Sequence, residues 1–357
     1  MKRVFLPILM MAAAMLGAPL ASAEDVTKVG FVYVGPVGDH GWTYRHDVGR
    51  KALEKEFGDK VKTTYVESVK EGADAERVIR ELAASGNNII FTTSFGYMNP
   101  TLKVAKQFPN VKFEHATGYK RAANLSTYSS RFYEGRYVAG IIAGRMTKSN
   151  VIGYIGSFPI PEVVRGINAF TIALRKVNPK ATVKVVWVSS WYDPGKEADA
   201  AKVLMDQGAD IILQHTDSTA PLQTAEAAGK LGVGQASDMS QFAPKAQLTA
   251  IIDNWDGYYI ERVKAVMDGS WASKDTWGGL DVGMVQMAPL NVAIPDDVKK
   301  EATDAMEAIK AGTLKPFAGP IKKQDGSEAA KEGESIDDGT LLGMNFYVEG
   351  VDGQLPK

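Results

Sequence analysis

The chain has 357 residues and no cysteine, and its 41 basic and 42 acidic residues give a net charge of -1 at pH 7. The balanced charge offers no basic field for nucleic acid or a membrane surface. The absence of cysteine excludes disulfides, cysteine-ligated zinc, thiol catalysis and a lipid-modified cysteine. A chain of this length can be stabilised by a hydrophobic core without disulfides, and it is long enough for two lobes of ordinary size.

Residues 1–23 predict a secretory signal peptide. Two basic residues precede an apolar segment, and Ala-Ser-Ala stands directly before Glu24. A transmembrane anchor is the alternative, but the apolar run is short and is broken by two prolines and a glycine. We therefore expect a periplasmic protein that is soluble after its signal peptide is removed.

The first predicted unit after the signal is a strand, a loop and a helix. Lys28–Val34 is typical of a buried parallel strand, and apolar residues recur with helical period from His46. The loop between them contains Asp39, Trp42 and Thr43. In an open α/β sheet such a loop lies at the carboxyl end of a strand, where ligands bind. Trp42 thus predicts the floor of a binding cleft, although core packing explains a lone tryptophan equally well.

The same alternation of strand and helix continues through the first part of the chain. Strands are predicted at 61–66, 88–93 and 111–115, with helices at 74–84 and 100–107. A further helix opens near Ser130 and ends near Met146. This βαβ repetition predicts a parallel sheet with helices on both faces.

The strand pattern restarts at 151–155, where we place a crossing into a second lobe. Helices are predicted at 162–177, 195–207, 220–231, 257–268 and 296–311, and strands at 182–188, 211–214, 233–236, 248–253 and, as a short pair, within 278–288. The segment 319–334 is predicted as a charged loop, and the pattern leaves the type of 336–348 open. The predicted fold class is α/β, with two Rossmann-like lobes.

Sequence signatures of catalysis are absent. The chain contains no G-x-S-x-G elbow, no G-x-x-x-x-G-K phosphate loop and no H-E-x-x-H motif. None of the four histidines has a partner at metal-ligand spacing. We therefore predict no metal site and no cofactor.

Aromatic and polar residues instead recur just after the predicted strands. If the sheets are parallel, these strand ends converge on one cleft between the lobes. Aromatic faces and a few carboxylates there suit a planar, uncharged, hydrogen-bonding ligand. The candidate residues are Asp39, Trp42, Thr43, Phe95, Tyr97, Trp191, His215, Asp217, Asp238, Asp253 and Asn254.

Some of these candidates also have structural explanations. Tyr97 can be a loop cap, and His215 can be a histidine satisfied by backbone groups. Asp238 and Asp253 are harder to explain in this way, because each closes an apolar strand in a loop.

At these residues the chain resembles the basic membrane protein family of solute-binding proteins, whose members include purine nucleoside receptors of ABC-type importers. The resemblance covers residues 27–353. It implies a type I periplasmic binding protein fold with a multi-strand hinge, a first lobe of 24–146 plus about 254–285, and a second of 147–253 plus about 286–357. The motifs that carry it are GPVGDHGW (35–42), SSRFYEGRYVAG (129–140), IGYIGSFPIPEVVRGINAF (152–170), SSWYDPGKEADAAKVLMDQGAD (189–210), ASDMS (236–240) and GPIKKQDG (319–326).

The resemblance also implies roles for individual residues. In this family two aromatic side chains from opposite lobes stack on a nucleoside base, and Trp42 and Trp191 stand at the matching positions. Asp39 matches the polar position beside the first aromatic, and Thr43 stands where an asparagine is common. The ribose-binding aspartate matches Asp238.

One matching position departs from the family pattern. The family's ribose-binding lysine is replaced by Asp253. Two carboxylates suit N–H donors better than a phosphate or an acid, and two tryptophans leave less room for a sugar.

We therefore predict a non-enzymatic binding protein that takes a free purine base such as adenine, with a purine nucleoside as the alternative. Its expected partner is an inner-membrane ABC permease. No nucleic acid partner is expected, and the protein is predicted to be a monomer. An exported nucleoside-processing enzyme, with a metal held by Asp39, Asp217, Asp238 and Asp253, is a weaker alternative, and so is a ligand-sensing module.

Overall fold

The structure is a computed structural model that describes residues 26–356; the predicted signal peptide at 1–23 lies outside the described residues. Strands and helices alternate along most of the chain. None of the helices between residues 26 and 356 is long and apolar enough to cross a membrane. The strands are β1 (Thr27–Val32), β2 (Val61–Val66), β3 (Ile89–Thr92), β4 (Lys112–Ala116), β5 (Leu125–Ser130), β6 (Val151–Gly156), β7 (Thr182–Trp187), β8 (Ile211–His215), β9 (Leu231–Gly234), β10 (Gln247–Asp253), β11 (Asp275–Gly278), β12 (Val285–Met287), β13 (Ile321–Lys322), β14 (Glu328–Ala330) and β15 (Val351–Asp352).

The helices fill the segments between these strands. The charged segment 319–334, predicted as a loop, contains the short hairpin β13–β14, and 336–348 contains one short helix. The helices are α1 (Gly41–Phe57), α2 (Ala73–Ala84), α3 (Met98–Gln107), α4 (Tyr133–Met146), α5 (Pro161–Val177), α6 (Pro194–Asp206), α7 (Ala220–Ala227), α8 (Asp256–Met267), α9 (Asp296–Lys310) and α10 (Asp338–Leu342).

Two sheets form the two lobes. The first has the strand order β11-β5-β4-β3-β1-β2, and every pair in it is parallel. The second has the order β12-β10-β9-β8-β6-β7-β15, in which only β12 runs antiparallel to its neighbour. The predicted α/β class with two parallel sheets is confirmed.

Two predicted elements differ from the structure for local reasons. Strand β5 (LSTYSS) was not predicted, because its serines and threonine do not give an apolar pattern, yet all six residues are buried. Helix α7 ends at Ala227 instead of 231, because Gly229 adopts a left-handed conformation (φ +66°) that ends the helix.

Helix α4 packs on the second lobe, although its sequence position suggested the first lobe, with a boundary at residue 146. Its side chains share one hydrophobic core with α5, β6 and α9. Gly140 and Gly144 permit this contact, since a Cβ atom on Gly140 would overlap the carbonyl oxygen of Phe170 in α5. The chain therefore crosses between the lobes just after β5. Helix α8 and strand β11, in contrast, pack with the first lobe.

Three adjacent segments connect the lobes, between β5 and α4, β10 and α8, and β11 and β12. The Ser130 hydroxyl donates to Asp253 Oδ1 at 2.7 Å, which joins the first two segments. The backbone N–H of Arg131 donates to the Gly278 carbonyl at 2.7 Å. These bonds make one hinge of the three segments, and relative motion of the lobes would concentrate there.

Candidate ligand-binding site

A cavity of about 380 Å³, including its open mouth, lies between the lobes. Nearly all of its lining residues follow the carboxyl ends of strands, where open α/β sheets bind ligands. The first lobe contributes Val34, Trp42, Ser94, Phe95 and Thr117, and the second contributes Glu162, Trp191, His215, Asp217 and Gln235.

Trp42 is held firmly in the first lobe. It is the second residue of α1, and its indole N–H donates to the Thr93 carbonyl at 2.6 Å. Its ring meets the rings of His46 and Trp255 edge-on, with centroids 4.4 and 5.6 Å away. The indole orientation is therefore fixed by packing on one side and by a hydrogen bond on the other.

Trp191 lies in the loop after β7 and lines the same cavity from the second lobe. Its ring packs against Phe158 at a centroid distance of 5.1 Å. Its indole N–H points across the cleft to Glu71 Oε1 at 3.3 Å, and its carbonyl accepts from the Asp217 N–H at 2.9 Å. The second aromatic surface is thus supported by neighbouring loops instead of a helix.

The lobes also contact each other directly beside the cavity. The N–H of Gly41 donates to Ser237 Oγ at 2.7 Å, and the N–H of Trp42 donates to Asp217 Oδ1 at 3.2 Å. Gly41 has φ +81°, and a Cβ atom there would lie 2.8 Å from the Asp217 carbonyl oxygen. Glycine at this position therefore allows the close approach of the two backbones.

Ionisable groups in the cavity wall are strongly affected by burial. Burial raises the pKa of Asp217 to about 7, against the lowering effect of the Trp42 N–H. Burial also raises the pKa of Glu162 to about 7, against Arg165 and Arg136. The pKa of His215 is far below its ordinary value because of burial and the same two arginines, so its imidazole is neutral at pH 7.

Behind the cavity wall lies a layer of buried polar groups. Arg136 donates through Nη2 to the Gln214 carbonyl at 2.7 Å and to Gln235 Oε1. Burial raises the pKa of Asp253 well above its ordinary value, although the Ser130 hydroxyl favours the ionised form. Within residues 26–356, Arg136 Nη1, Asp253 Oδ2 and His215 Nδ1 have no hydrogen-bond partner. Such buried groups need water or a ligand to satisfy them.

Of the residues predicted from the sequence, the structure brings Trp42, Phe95, Trp191, His215 and Asp217 to the cavity. The other six predicted residues do not line it.

Three of those six stay in the first lobe near its loops. Asp39 is exposed and pairs with His40 Nδ1 at 2.8 Å. Thr43 is buried, and its Oγ1 accepts from the Gly35 N–H at 3.2 Å. Tyr97 is fully buried in the core, where its hydroxyl donates to the Val69 carbonyl at 2.5 Å.

The other three lie beyond the cavity wall. Asp238 is exposed, and its Oδ1 accepts from Gln247 Nε2 at 2.7 Å and from the Ser240 N–H at 2.9 Å. Asp253 and Asn254 belong to the hinge, where Asn254 Nδ2 donates to the Gly283 carbonyl at 3.1 Å. Asp238, which matches the family's ribose-binding aspartate, is thus engaged in local hydrogen bonds and does not line the cavity.

Five lining residues were not predicted: Val34, Ser94, Thr117, Glu162 and Gln235. Four of them follow the ends of β1, β3, β4 and β9, so a strict application of the strand-end rule would have found them. Glu162 is different, because it stands at the start of α5, at the end of the β6 loop.

Two lobes of parallel sheet, a three-segment hinge and a lined cleft between the lobes are the architecture of the type I periplasmic binding protein fold. Solved structures share this fold. An ABC transporter solute-binding protein from Aeropyrum pernix matches with a TM-score of 0.71 and 18% identity over 82% of this chain and 94% of that one. One from Conexibacter woesei matches with a TM-score of 0.66 and 21% identity over 81% and 98%.

The chain belongs to the Bmp family, described as ABC transporter substrate-binding proteins, PnrA-like, whose model matches residues 26–315. A protein named purine-binding protein from Brucella abortus is 62% identical over 97% of this chain and 98% of its own length. A putative ABC transporter glucose-binding protein from Haloferax volcanii is 38% identical over 94% and 83%. The family resemblance is confirmed, and the family is a non-enzymatic transport component that delivers a small molecule to a membrane permease.

Proposed function

We propose that this protein is the exported purine-binding component of an ABC importer, and that it takes a free base such as adenine. The supporting observation is that Trp42 and Trp191, from opposite lobes, line one cavity. A purine has two flat faces, and stacking on an aromatic side chain favours each of them. The hinge would let the lobes close on the base and present the closed form to an inner-membrane permease.

The choice of base over nucleoside rests on the carboxylates that match the family's sugar-binding positions. Asp238 is exposed and hydrogen-bonded to Gln247 and Ser240. Asp253 replaces a lysine and is bonded to Ser130 within the hinge. Neither residue lines the cavity, so ribose hydroxyls would lose both of these partners. The name of the Brucella abortus relative supports a purine but does not distinguish base from nucleoside.

The test begins with mass spectrometry of any small molecule released when the purified protein is denatured. Calorimetric titration of refolded, ligand-free protein with adenine, adenosine and inosine follows. We expect adenine to bind most tightly, by roughly tenfold or more, because the ribose of a nucleoside would find neither Asp238 nor Asp253 in the cavity.

Glucose is the control ligand, because the Haloferax volcanii relative is named for it. Tighter binding of nucleosides than of bases would overturn the choice of a free base. Binding of glucose without any purine would overturn the purine assignment as a whole.

A further inference from the structure

Glu162 is the charged group of the cavity wall that the protein itself leaves unpaired. It lines the cavity from the first turn of α5. No hydrogen bond or ion pair joins its carboxyl to any residue between 26 and 356. Both carboxyl oxygens are therefore open to a ligand.

The other polar groups of the same wall already have protein partners or offer less. Gln235 Oε1 accepts from Arg136, and Asp217 Oδ1 accepts from the Trp42 N–H. His215 presents a neutral ring with one unpartnered nitrogen, Nδ1. Glu162 is distinguished from Asp217 and Gln235 because neither of its two carboxyl oxygens already accepts a hydrogen bond from a residue between 26 and 356.

We propose that Glu162 determines which purine binds, by pairing in its acid form with the amino edge of a 6-aminopurine. This inference rests on the proposed function. One carboxyl oxygen would accept from the exocyclic amine, and the O–H would donate to the adjacent ring nitrogen. An ionised carboxylate has no hydrogen to donate. It would instead favour an edge with two donors, such as that of guanine.

The groups around Glu162 shift the pKa of its carboxyl in opposite directions. Burial favours the acid form and raises the pKa to about 7, whereas Arg165 and Arg136 favour the carboxylate, as does the N-terminus of α5. Tyr154 and Asp253 also face the group from β6 and β10, and Asp217 and His215 share its cavity wall.

A ligand nitrogen that accepts a hydrogen bond from the acid form of Glu162 would raise the pKa of Glu162 further. Adenine affinity would then be constant below about pH 7 and fall above it, by up to about tenfold per pH unit.

The test compares the ratio of guanine to adenine dissociation constants at about pH 6 and about pH 8.5. The ratio removes any pH effect on lobe closure that both bases share. Three proteins are titrated: the native chain, Glu162→Gln and Asp217→Asn. Glutamine keeps one acceptor and one donor but does not ionise, so it imitates the acid form.

In the native chain we expect the preference for adenine to shrink by roughly 10- to 30-fold between the two pH values, since the higher pH lies about 1.5 units above the pKa of Glu162. Glu162→Gln should keep the low-pH ratio at both pH values. Asp217→Asn should keep the native pH dependence of the ratio, because any effect of Asp217 on lobe closure is shared by both bases. A Glu162→Gln ratio that still changes with pH as in the native chain would refute the inference. So would native affinity for adenine in Glu162→Ala at about pH 6. If neither base binds the native chain, the purine function itself fails instead.

Discussion

The two walls of the cleft differ in chemistry although they come from similar folds. The first lobe lines the cavity with Val34, Trp42, Ser94, Phe95 and Thr117, none of which is charged. The second lobe adds one tryptophan and, beside it, the ionisable groups Glu162, His215 and Asp217.

The walls also differ in how their tryptophans are supported. Trp42 is packed against His46 and Trp255 at the start of a helix. Trp191 is in a loop and contacts Phe158 and, across the cleft, Glu71. On the proposed function, we expect the first lobe to provide a fixed stacking surface and the second to bind the edge of the ligand and complete the site on closure.

Replacing the tryptophans separately is expected to have the largest effect and to separate the two walls. Trp191→Ala should weaken purine binding by about 5- to 150-fold, since stacking of a base on an aromatic ring contributes about 1–3 kcal/mol. Its melting temperature should fall less than that of Trp42→Ala, because Trp191 packs at the edge of the second core with one aromatic neighbour, Phe158. Trp42→Ala should lose affinity and also melt at a lower temperature, because its ring packs against Trp255 in the first core.

The matched control for Trp191→Ala is Tyr192→Ala. Tyr192 is the next residue in the same loop, is 39% exposed and does not line the cavity. Calorimetry and thermal melting of the three variants give the comparison. Equal losses of affinity in Tyr192→Ala and Trp191→Ala would mean that loop disturbance, and not the indole face, explains the effect.

A smaller effect is expected where the lobes touch. Gly41→Ala would place a Cβ atom 2.8 Å from the Asp217 carbonyl oxygen, so the walls could not approach as they do in the structure. Overpacking of this kind costs about 1–3 kcal/mol, and we expect roughly tenfold weaker binding of every ligand that requires closure. Small-angle X-ray scattering with saturating ligand should show a more extended particle.

Gly38→Ala separates this steric effect from backbone strain. Both glycines have positive φ, +51° at Gly38 in the loop before α1 and +81° at Gly41, the first residue of α1, but a Cβ atom on Gly38 would meet nothing within 4 Å. Both variants should lose some stability to thermal unfolding, since an L side chain is strained there. Only Gly41→Ala should lose affinity, and a similar loss in Gly38→Ala would assign the effect to strain.

Much of the fold follows from local patterns. Strand β2 was predicted with its observed bounds, Val61–Val66, because β-branched and aromatic residues are typical of strands. Strands β3 and β4 were predicted to within a residue at each end. Strand β5 was missed because serine and threonine fill a buried strand whose partners supply hydrogen bonds, such as Thr127 Oγ1 to Asp275 Oδ1 at 2.6 Å. The lobe to which α4 belongs depends on tertiary packing alone.

The site was predictable where it follows strand ends. Phe95, Trp191, His215 and Asp217 come within a few residues of a strand end, and Trp42 stands at the start of the helix that follows β1. All five meet in one cavity. Asp238 also follows a strand, but its local bonds to Gln247 and Ser240 hold it at the surface, and sequence does not reveal such bonds.

Asp217 gives the smallest expected effect and tests whether the second wall also controls closure. Burial raises its pKa from 3.8 to about 7, against the lowering effect of the Trp42 N–H. To the extent that opening of the lobes would expose the carboxyl to water, the closed form favours its acid. The contribution to closure is then fully present below about pH 4 and is lost as the pH rises toward about 7. Since the carboxyl is partly exposed and screened, we expect only a few-fold loss of affinity between about pH 5 and 7, shared by all ligands.

Asp217→Asn should remove this pH dependence of affinity, whereas Asp199→Asn, on an exposed face of α6 in the same lobe, should retain it. An unchanged profile in Asp217→Asn would place the control of closure elsewhere and leave Asp217 as a wall of the cavity only.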